Sequence, residues 1–141
     1  MENTRPKDSD TVILELYEKW QVDIPFGWIP IIGDIQIPHT KIYKADAFEL
    51  KLNVLKSILK EQFNLDKLYE IEEGGTVKYL EIENCAFTYT GLEHLYSDVN
   101  YEIVIYYSHE NSITIGGEKL IKHIHKIWPE HQQNIWKEPF G

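Results

Sequence analysis

The chain has 141 residues, 43% hydrophobic and 26% charged, a balance that argues against a wholly disordered polypeptide. It carries 14 basic and 23 acidic residues, and the net charge of -9 disfavours binding to nucleic acid because phosphate backbones are negative. The N-terminal residues lack the apolar core of a secretory signal, and no apolar run is long enough to span a bilayer. We therefore expect a cytoplasmic protein without a membrane partner, folded as a single globular domain over residues 1–141.

The first predicted element is a helix that ends at Trp20, after a loose polar lead-in over residues 1–9. Ser9 or Asp10 can cap its first turn. Its apolar residues recur at helical spacing and predict one buried face. These residues are Ile13, Leu16, Tyr17 and Trp20.

An apolar segment follows at residues 24–38, where three prolines and two glycines exclude a helix. Such a segment has to pack against something, because exposed apolar patches are costly. One interpretation is a loop that covers the core, with a short edge strand near residues 35–37. The alternative is a binding lip in which Phe26 and Trp28 contact a partner.

The second helix is predicted from Asp46 to about Asn64, with Asp46 and Glu49 forming a capping pattern. Its apolar residues repeat at helical spacing, and lysines line the opposite side. Asn64 is an acceptable left-handed residue at its end.

The middle of the chain predicts strands. Gly74 and Gly75 separate runs at 68–72 and 76–82, a pattern typical of a hairpin. Further strands are predicted at 87–89, 101–107 and 112–115, followed by a helix over 118–128 that Pro129 ends and a partly docked tail at 130–141. Helices segregated from hairpin-linked strands indicate an α+β fold, with a mostly antiparallel sheet of about five strands packed against about three helices.

Motifs for chemistry are weak. His109 and Glu110, at the turn after the 101–107 strand, could serve as a general base and its partner in a small hydrolase. However, neighbours in a tight turn point in different directions and cannot form a relay among themselves. Gly116 and Gly117 lack a phosphate-binding pattern and suit a helix cap better.

The histidines and the single cysteine do not predict a metal site. His123 and His125 are two residues apart and point to nearly opposite sides of a helix, whereas His39 and His94 stand alone. We expect these histidines to face solvent, and Cys85 to be a small buried residue with a raised pKa. No cofactor is expected.

An acidic surface is the strongest candidate for contact. Alternate strand positions share a face, so Glu70 and Glu72 should lie together, as should Glu81 and Glu83. If the hairpin pairs as expected, the four carboxylates form an acidic ridge. The alternative is a solvated outer face of the sheet, relieved by Lys78.

The run from Tyr106 to Gly117, followed by a helix that ends in Ile127-Trp128, resembles the C-terminal portion of small bacterial proteins, some of them of the toxin-immunity type. The resemblance implies a cytosolic antidote that binds one toxin domain and carries no shared catalytic motif. An acidic protein suits this role because nuclease toxins have basic clefts.

Three functions therefore compete. The first is a non-catalytic protein-binding module that contacts a basic partner, such as a toxin domain, through the acidic hairpin and through Phe26 and Trp28. The second is the small hydrolase that uses His109 and Glu110. The third is a ligand-binding domain with a cavity between sheet and helices. Its lining would come from Tyr101, Tyr106 and Tyr107.

Overall fold

The structure is a computed structural model that describes residues 8–23, 27–28, 39–108 and 112–135. The helices in these ranges are α1 (Ser9–Trp20), α2 (Ala45–Phe48), α3 (Leu52–Glu61) and α4 (Glu118–Ile127). Shorter 3-10 segments lie at Glu49–Lys51, Ile82–Asn84 and Pro129–Asn134. None of the described helices has the length and apolar character needed to cross a membrane.

A six-stranded antiparallel sheet forms the centre of the structure. Its strands are β3 (Thr40–Lys44), β4 (Lys67–Glu72), β5 (Val77–Glu81), β6 (His94–Ser97), β7 (Val104–Tyr107) and β8 (Ser112–Gly116), in the spatial order β3-β8-β7-β6-β4-β5. Two short strands, β1 (Val22–Asp23) and β2 (Gly27–Trp28), form a separate pair. The α+β class and the antiparallel sheet are confirmed, with one strand more than predicted.

Each face of the sheet packs against its own apolar cluster. On one face, α1 contributes Val12, Leu16 and Trp20 to a cluster with side chains of β4, β6 and β7. On the other face, α3 and α4 pack against Leu68 and Ile105 of the sheet. Strands β6, β7 and β8 are buried along their whole length. Strands β6 and β7 accordingly carry apolar or aromatic residues on both sides, whereas one side of β8 consists of the small residues Ser112, Thr114 and Gly116.

Helix α1 begins one residue earlier than a cap at Ser9 implies and two residues earlier than a cap at Asp10 implies. Asp8 is its N-cap, and the Asp8 carboxylate accepts a hydrogen bond from the Thr11 amide at 3.0 Å. The buried stripe consists of Val12, Leu16 and Trp20, whereas the predicted face included Tyr17, which is 57% exposed. The buried face is therefore rotated about the helix axis, toward Val12 and away from Tyr17, relative to the face that the sequence pattern predicted.

The second predicted helix is interrupted. The 3-10 turn at Glu49–Lys51 separates α2 from α3, which ends at Glu61. Asp46 accepts a hydrogen bond from the amide of Ala47 at 2.8 Å, and no side-chain cap bond forms at the N-cap, so the predicted capping box is wrong. Asn64 has a positive φ of 56°, as expected for the residue that turns the chain after this helix.

Four of the described strands were not predicted, namely β1, β2, β3 and β6, and one predicted strand is absent. In the main sheet, β3 lies at one edge and β6 lies inside, although the sequence predicted no strand at either position. Residues 87–89 are irregular, and Phe87 has a positive φ of 50°, which is incompatible with a strand. The edge strand predicted near residues 35–37 lies outside the described residues.

The C-terminal helix matches its prediction closely. Gly117, with φ 123°, occupies the N-cap position of α4 and accepts a hydrogen bond from the Ile121 amide. Pro129 starts the 3-10 segment that follows the helix. Ile135 then forms an isolated antiparallel bridge with Tyr43, so this part of the tail is docked.

Candidate functional site

A cleft with a volume of about 470 Å³ opens beside the C-terminal end of β7. Its walls come from the segment around α2 and from the loop after the 82–84 turn, and its floor from the end of β7. The described lining residues are Ala45, Asp46, Glu49, Leu52, Ala86, Phe87, Thr88, Tyr89, Tyr107 and Ser108. This volume lies within the range typical of ligand pockets, roughly 300–1,000 Å³.

The floor of the cleft carries a buried polar group. Tyr107 is almost fully buried, and its hydroxyl has no hydrogen-bond partner among the described residues. Burial raises the pKa of Tyr107, and the carboxylate of Glu49 raises it further, so the phenol is neutral at physiological pH. A buried hydroxyl without a partner costs free energy, which a bound polar ligand can recover.

The rim of the cleft is acidic on one side and aromatic on the other. Asp46 and Glu49 are exposed residues of the α2 wall. In the opposite wall, Tyr89 is 42% exposed, whereas Phe87 is buried. None of the described lining residues is basic. A positive group entering the cleft therefore meets carboxylates and ring faces, both of which attract cations.

A second polar site lies on β4 and β6, on the sheet face that α3 and α4 cover. Glu72 is the register partner of His94, and Glu70 is two residues before Glu72 on the same face. One ligand-type atom from each of these three side chains lies within 4.8 Å of the others. Glu70 and His94 are each only 4% exposed. We call Glu70, Glu72 and His94 the polar trio.

Hydrogen bonds hold two members of the polar trio in place. The hydroxyl of Tyr96 donates to Oε2 of Glu70 at 2.9 Å, and Nδ1 of His94 lies 3.4 Å from the same oxygen. Nε2 of His94 is 2.7 Å from the hydroxyl of Thr90. Nδ1 of His94 has no hydrogen-bond partner among the described residues, since its approach to Glu70 does not have hydrogen-bond geometry.

The polar trio is joined to the wall of the cleft. The amide of Phe87 donates to the hydroxyl of Tyr96 at 3.1 Å, and the same hydroxyl donates to Glu70. Thr90, a few residues further along that wall, contacts His94. The loop that forms one side of the cleft is thus held at two points by the residues that surround the trio.

Comparison of the chain with protein-family models, with curated proteins and with solved structures gives no match.

The predicted acidic ridge does not form. Glu81 pairs with Lys67, on the opposite face of the sheet from Glu70 and Glu72. Glu83 lies in the 3-10 turn after β5 and forms an ion pair with Lys60. The expected ridge is wrong because the hairpin register places the two glutamate pairs apart, and because Glu70 is buried.

Two further groups of predicted site residues cannot be placed. Phe26, His109 and Glu110 lie outside the described residues. Trp28 belongs to β2, where its backbone pairs with Val22, and its side chain also lies outside the description. The binding lip and the hydrolase site therefore remain predictions.

The three tyrosines of the ligand-binding hypothesis separate between the two faces of the sheet. Tyr107 reaches the cleft, whereas Tyr101 and Tyr106 belong to the cluster beneath α1. Side chains alternate along β7, so Tyr106 and Tyr107 lie on opposite faces of the sheet. The predicted cavity lined by all three tyrosines is therefore wrong.

His94 is one of the site residues that the sequence interpretation missed. It was expected to face solvent, yet it is buried in β6 beside two carboxylates. The only local signal was the run Leu95-Tyr96 after it, which is compatible with a strand. Its pairing with Glu72 depends on a register between β4 and β6 that no local pattern reveals.

The remaining histidines of the C-terminal region are half-buried. His125 stacks on His131 with ring centroids 3.6 Å apart, and its Nε2 lies 2.6 Å from the hydroxyl of Tyr43. Burial lowers the pKa of His125, with smaller contributions from His131 and Lys41. The expectation that these side chains face solvent is therefore wrong for His125.

Cys85 is buried, as predicted. Burial, with a smaller contribution from the nearby Glu70 carboxylate and a smaller opposing one from Lys56, raises the pKa of its thiol to about 12. A thiol with so high a pKa is not a reactive nucleophile.

Proposed function

We propose that this chain is a binding domain that holds a basic segment of a partner protein, with a Lys or Arg side chain seated in the cleft beside β7. The proposal depends on one observation above all, namely the acidic rim above a buried tyrosine hydroxyl that has no hydrogen-bond partner among the described residues. An ammonium or guanidinium group supplies both a positive charge and several N–H donors.

Charge supports a basic partner. The rim residues Asp46 and Glu49 are part of a net charge of -9, so the domain attracts cationic surfaces over a distance and also at the cleft. Nothing positive among the described lining residues opposes this attraction.

The aromatic wall supports the same class of ligand. A cation within about 6 Å of an aromatic ring centroid is attracted to the ring face. The Phe87 ring is buried and already has the ammonium of Lys56 at 5.8 Å from its centroid. The ring that is left for a ligand cation is therefore Tyr89, which lies exposed at the rim.

The floor favours a ligand that donates hydrogen bonds. The Tyr107 hydroxyl oxygen can accept a hydrogen bond from an ammonium or guanidinium N–H, and the neutral phenol can donate one to a ligand oxygen. Because a nitrogen cation brings only donors, its charge and its hydrogen bonds are both used in this cleft.

Among basic proteins, a toxin domain is the partner that we propose first, because residues 106–117 resemble those of immunity-type proteins. In that case, the cleft supplies one specific contact within a larger acidic surface. The immunity role is tested separately from cation binding, by measuring the affinity of a toxin domain.

Titration with short capped peptides tests the cleft. We would follow backbone amide shifts of the labelled protein on adding acetyl-Gly-Lys-Gly-amide, its Arg counterpart, and a norleucine peptide that matches Lys in length without its charge. The proposal predicts that the Lys and Arg peptides shift the signals of cleft residues, whereas the norleucine peptide does not. Equal responses to Lys and norleucine would contradict it.

Charge-neutralising variants provide the control. Asp46→Asn combined with Glu49→Gln should weaken the Lys peptide at least ten-fold, whereas Glu61→Gln, an exposed carboxylate on α3, should leave its affinity unchanged. If butylamine binds as tightly as the Lys peptide, the ligand of the cleft is a small cationic molecule and not a segment of a partner protein. A purified basic toxin domain that binds the wild-type chain should lose affinity for the same double variant.

A further inference from the structure

The polar trio contains a buried ligand-type atom without a hydrogen bond. His94 is 4% exposed, and its Nδ1 has no hydrogen-bond partner among the described residues, although its Nε2 has one in Thr90. Buried imidazole nitrogens are nearly always satisfied. The unsatisfied Nδ1 lies beside two carboxylates, so the missing partner of this nitrogen is best sought in a positive ion.

The spacing of these atoms suits a metal ion. Two ligands that lie about 2.0–2.1 Å from one tetrahedral Zn²⁺ are roughly 3.3 Å apart. Nδ1 of His94 and Oε2 of Glu70 are 3.4 Å apart, and an oxygen of Glu72 lies within 4.8 Å of both. Glu72 is only half-buried, so its side chain has room to close the remaining gap.

We propose that Glu70, Glu72 and His94 bind a divalent first-row transition metal of the Zn²⁺ type, through one oxygen of each carboxylate and Nδ1 of His94. The imidazole ligand favours such ions over Mg²⁺ and Ca²⁺, which prefer sites made of oxygen atoms alone. Two carboxylates neutralise the double charge of the ion. Three protein ligands leave a fourth position for water or a further ligand.

The surrounding hydrogen bonds match those that orient metal ligands. Metal-binding histidines usually donate their other N–H to an oxygen, and Nε2 of His94 has the hydroxyl of Thr90 in that position. The carboxylate of Glu70 is likewise held by the hydroxyl of Tyr96. These contacts fix the two buried ligands before any ion binds.

Lys78 balances charge at the exposed side of the trio. Its ammonium is 3.4 Å from Oε2 of Glu72, and its side chain is about half exposed. A divalent ion is a stronger partner for the carboxylate than this single surface charge, and Lys78 can move into solvent at little cost. Ion binding therefore releases Lys78.

Cobalt titration is the experiment, since Co²⁺ reports its coordination by visible absorption. The protein would carry no affinity tag. We expect saturable visible bands at one equivalent of Co²⁺, which one equivalent of Zn²⁺ abolishes. Glu72→Gln, a change at the least buried member, should weaken Co²⁺ binding at least ten-fold. Glu81→Gln, on the opposite face of the same hairpin, should leave the affinity unchanged.

Two results would overturn the proposal. One is no saturable binding by wild-type protein whose circular dichroism shows that it is folded. The other is binding that Glu72→Gln leaves intact and His131→Gln abolishes, because the ion would then occupy the stacked pair of His125 and His131 on the surface. His94→Gln, which removes the nitrogen ligand, should also abolish Co²⁺ binding, and if this variant fails to fold, the Glu72→Gln comparison still decides.

Discussion

Glu72 on β4 and His94 on β6 are register partners, and their side chains leave the sheet on the same face. Glu70 joins them from two residues earlier on β4. The Tyr96 hydroxyl, which holds Glu70, also accepts the Phe87 amide from the wall of the cleft. One tyrosine therefore connects the polar trio to the cleft.

Tyr96→Phe tests this connection through stability. The substitution leaves a buried Phe87 amide without its acceptor and a buried Glu70 without its donor. We expect a loss of about 1–3 kcal/mol in the free energy of unfolding, measured by urea denaturation.

Tyr107→Phe is the matched control, because it removes a hydroxyl that has no hydrogen-bond partner among the described residues. The free energy of unfolding should stay equal to that of wild type or rise. Equal losses of unfolding free energy in the two variants would show that the hydrogen bonds of the Tyr96 hydroxyl do not stabilise the fold.

Gly116→Ala tests the packing between α1 and the sheet. A Cβ at this position would lie 2.6 Å from Cγ2 of Val104 and 2.8 Å from Cζ3 of Trp20. Because both neighbours are buried, we expect a loss of about 1–3 kcal/mol in stability. In a Val104→Ala background, which removes one clash, the added cost should be smaller. An identical cost in both backgrounds would exclude the clash as its cause.

His125 should make stability depend on pH. Burial lowers the pKa of His125 in the folded state below its ordinary value of about 6.5. As the pH falls, His125 is therefore protonated in the unfolded chain before it is protonated in the folded protein. The free energy of unfolding is unaffected by this histidine above about pH 6.5 and decreases as the pH drops toward the folded-state pKa.

Urea midpoints at pH 7.5 and pH 5.5 measure this effect. His125→Gln should reduce the fall in stability between the two pH values, whereas His39→Gln, an exposed histidine, provides the comparison. A fall of the same size in wild type and in His125→Gln would rule out His125 as its source.

Thr90→Val tests the support of the proposed metal site. The change removes the hydroxyl that contacts Nε2 of His94 at 2.7 Å while keeping nearly the same volume. Loss of such an outer contact typically costs 10- to 100-fold in metal affinity, and we expect Zn²⁺ competition against Co²⁺ to show a decrease of that order. Thr76→Val, an exposed threonine in the β4–β5 turn, should bind as wild type does.

The sequence predicted the elements with strong local patterns. Helix α4, the β4–β5 hairpin and the two-sided burial of β7 followed from periodicity and from the Gly74-Gly75 pair. Strand β6 did not, because the short run from His94 to Ser97 mixes polar and aromatic residues and lies between loops. Its strand character comes from pairing with β4 and β7, which are distant in sequence.

The candidate sites were less predictable than the fold. Glu70 and Glu72 were singled out, but as members of a surface ridge, because their burial depends on helices that cover that face of the sheet. The cleft was partly anticipated through Tyr107. The acidic wall of the cleft was not anticipated. In the sequence, Asp46 and Glu49 resemble the cap of one long helix, whereas in the structure the helix is interrupted after α2 and both residues lie at the rim.

The most direct measurement of cation binding in the cleft is the intermolecular nuclear Overhauser effect between the ε-methylene protons of the Lys peptide and the aromatic rings of the protein. We predict contacts to Tyr107 on the floor and Tyr89 at the rim. Contacts to Tyr17 on the exposed side of α1 instead, with none to the two cleft tyrosines, would contradict the proposed function.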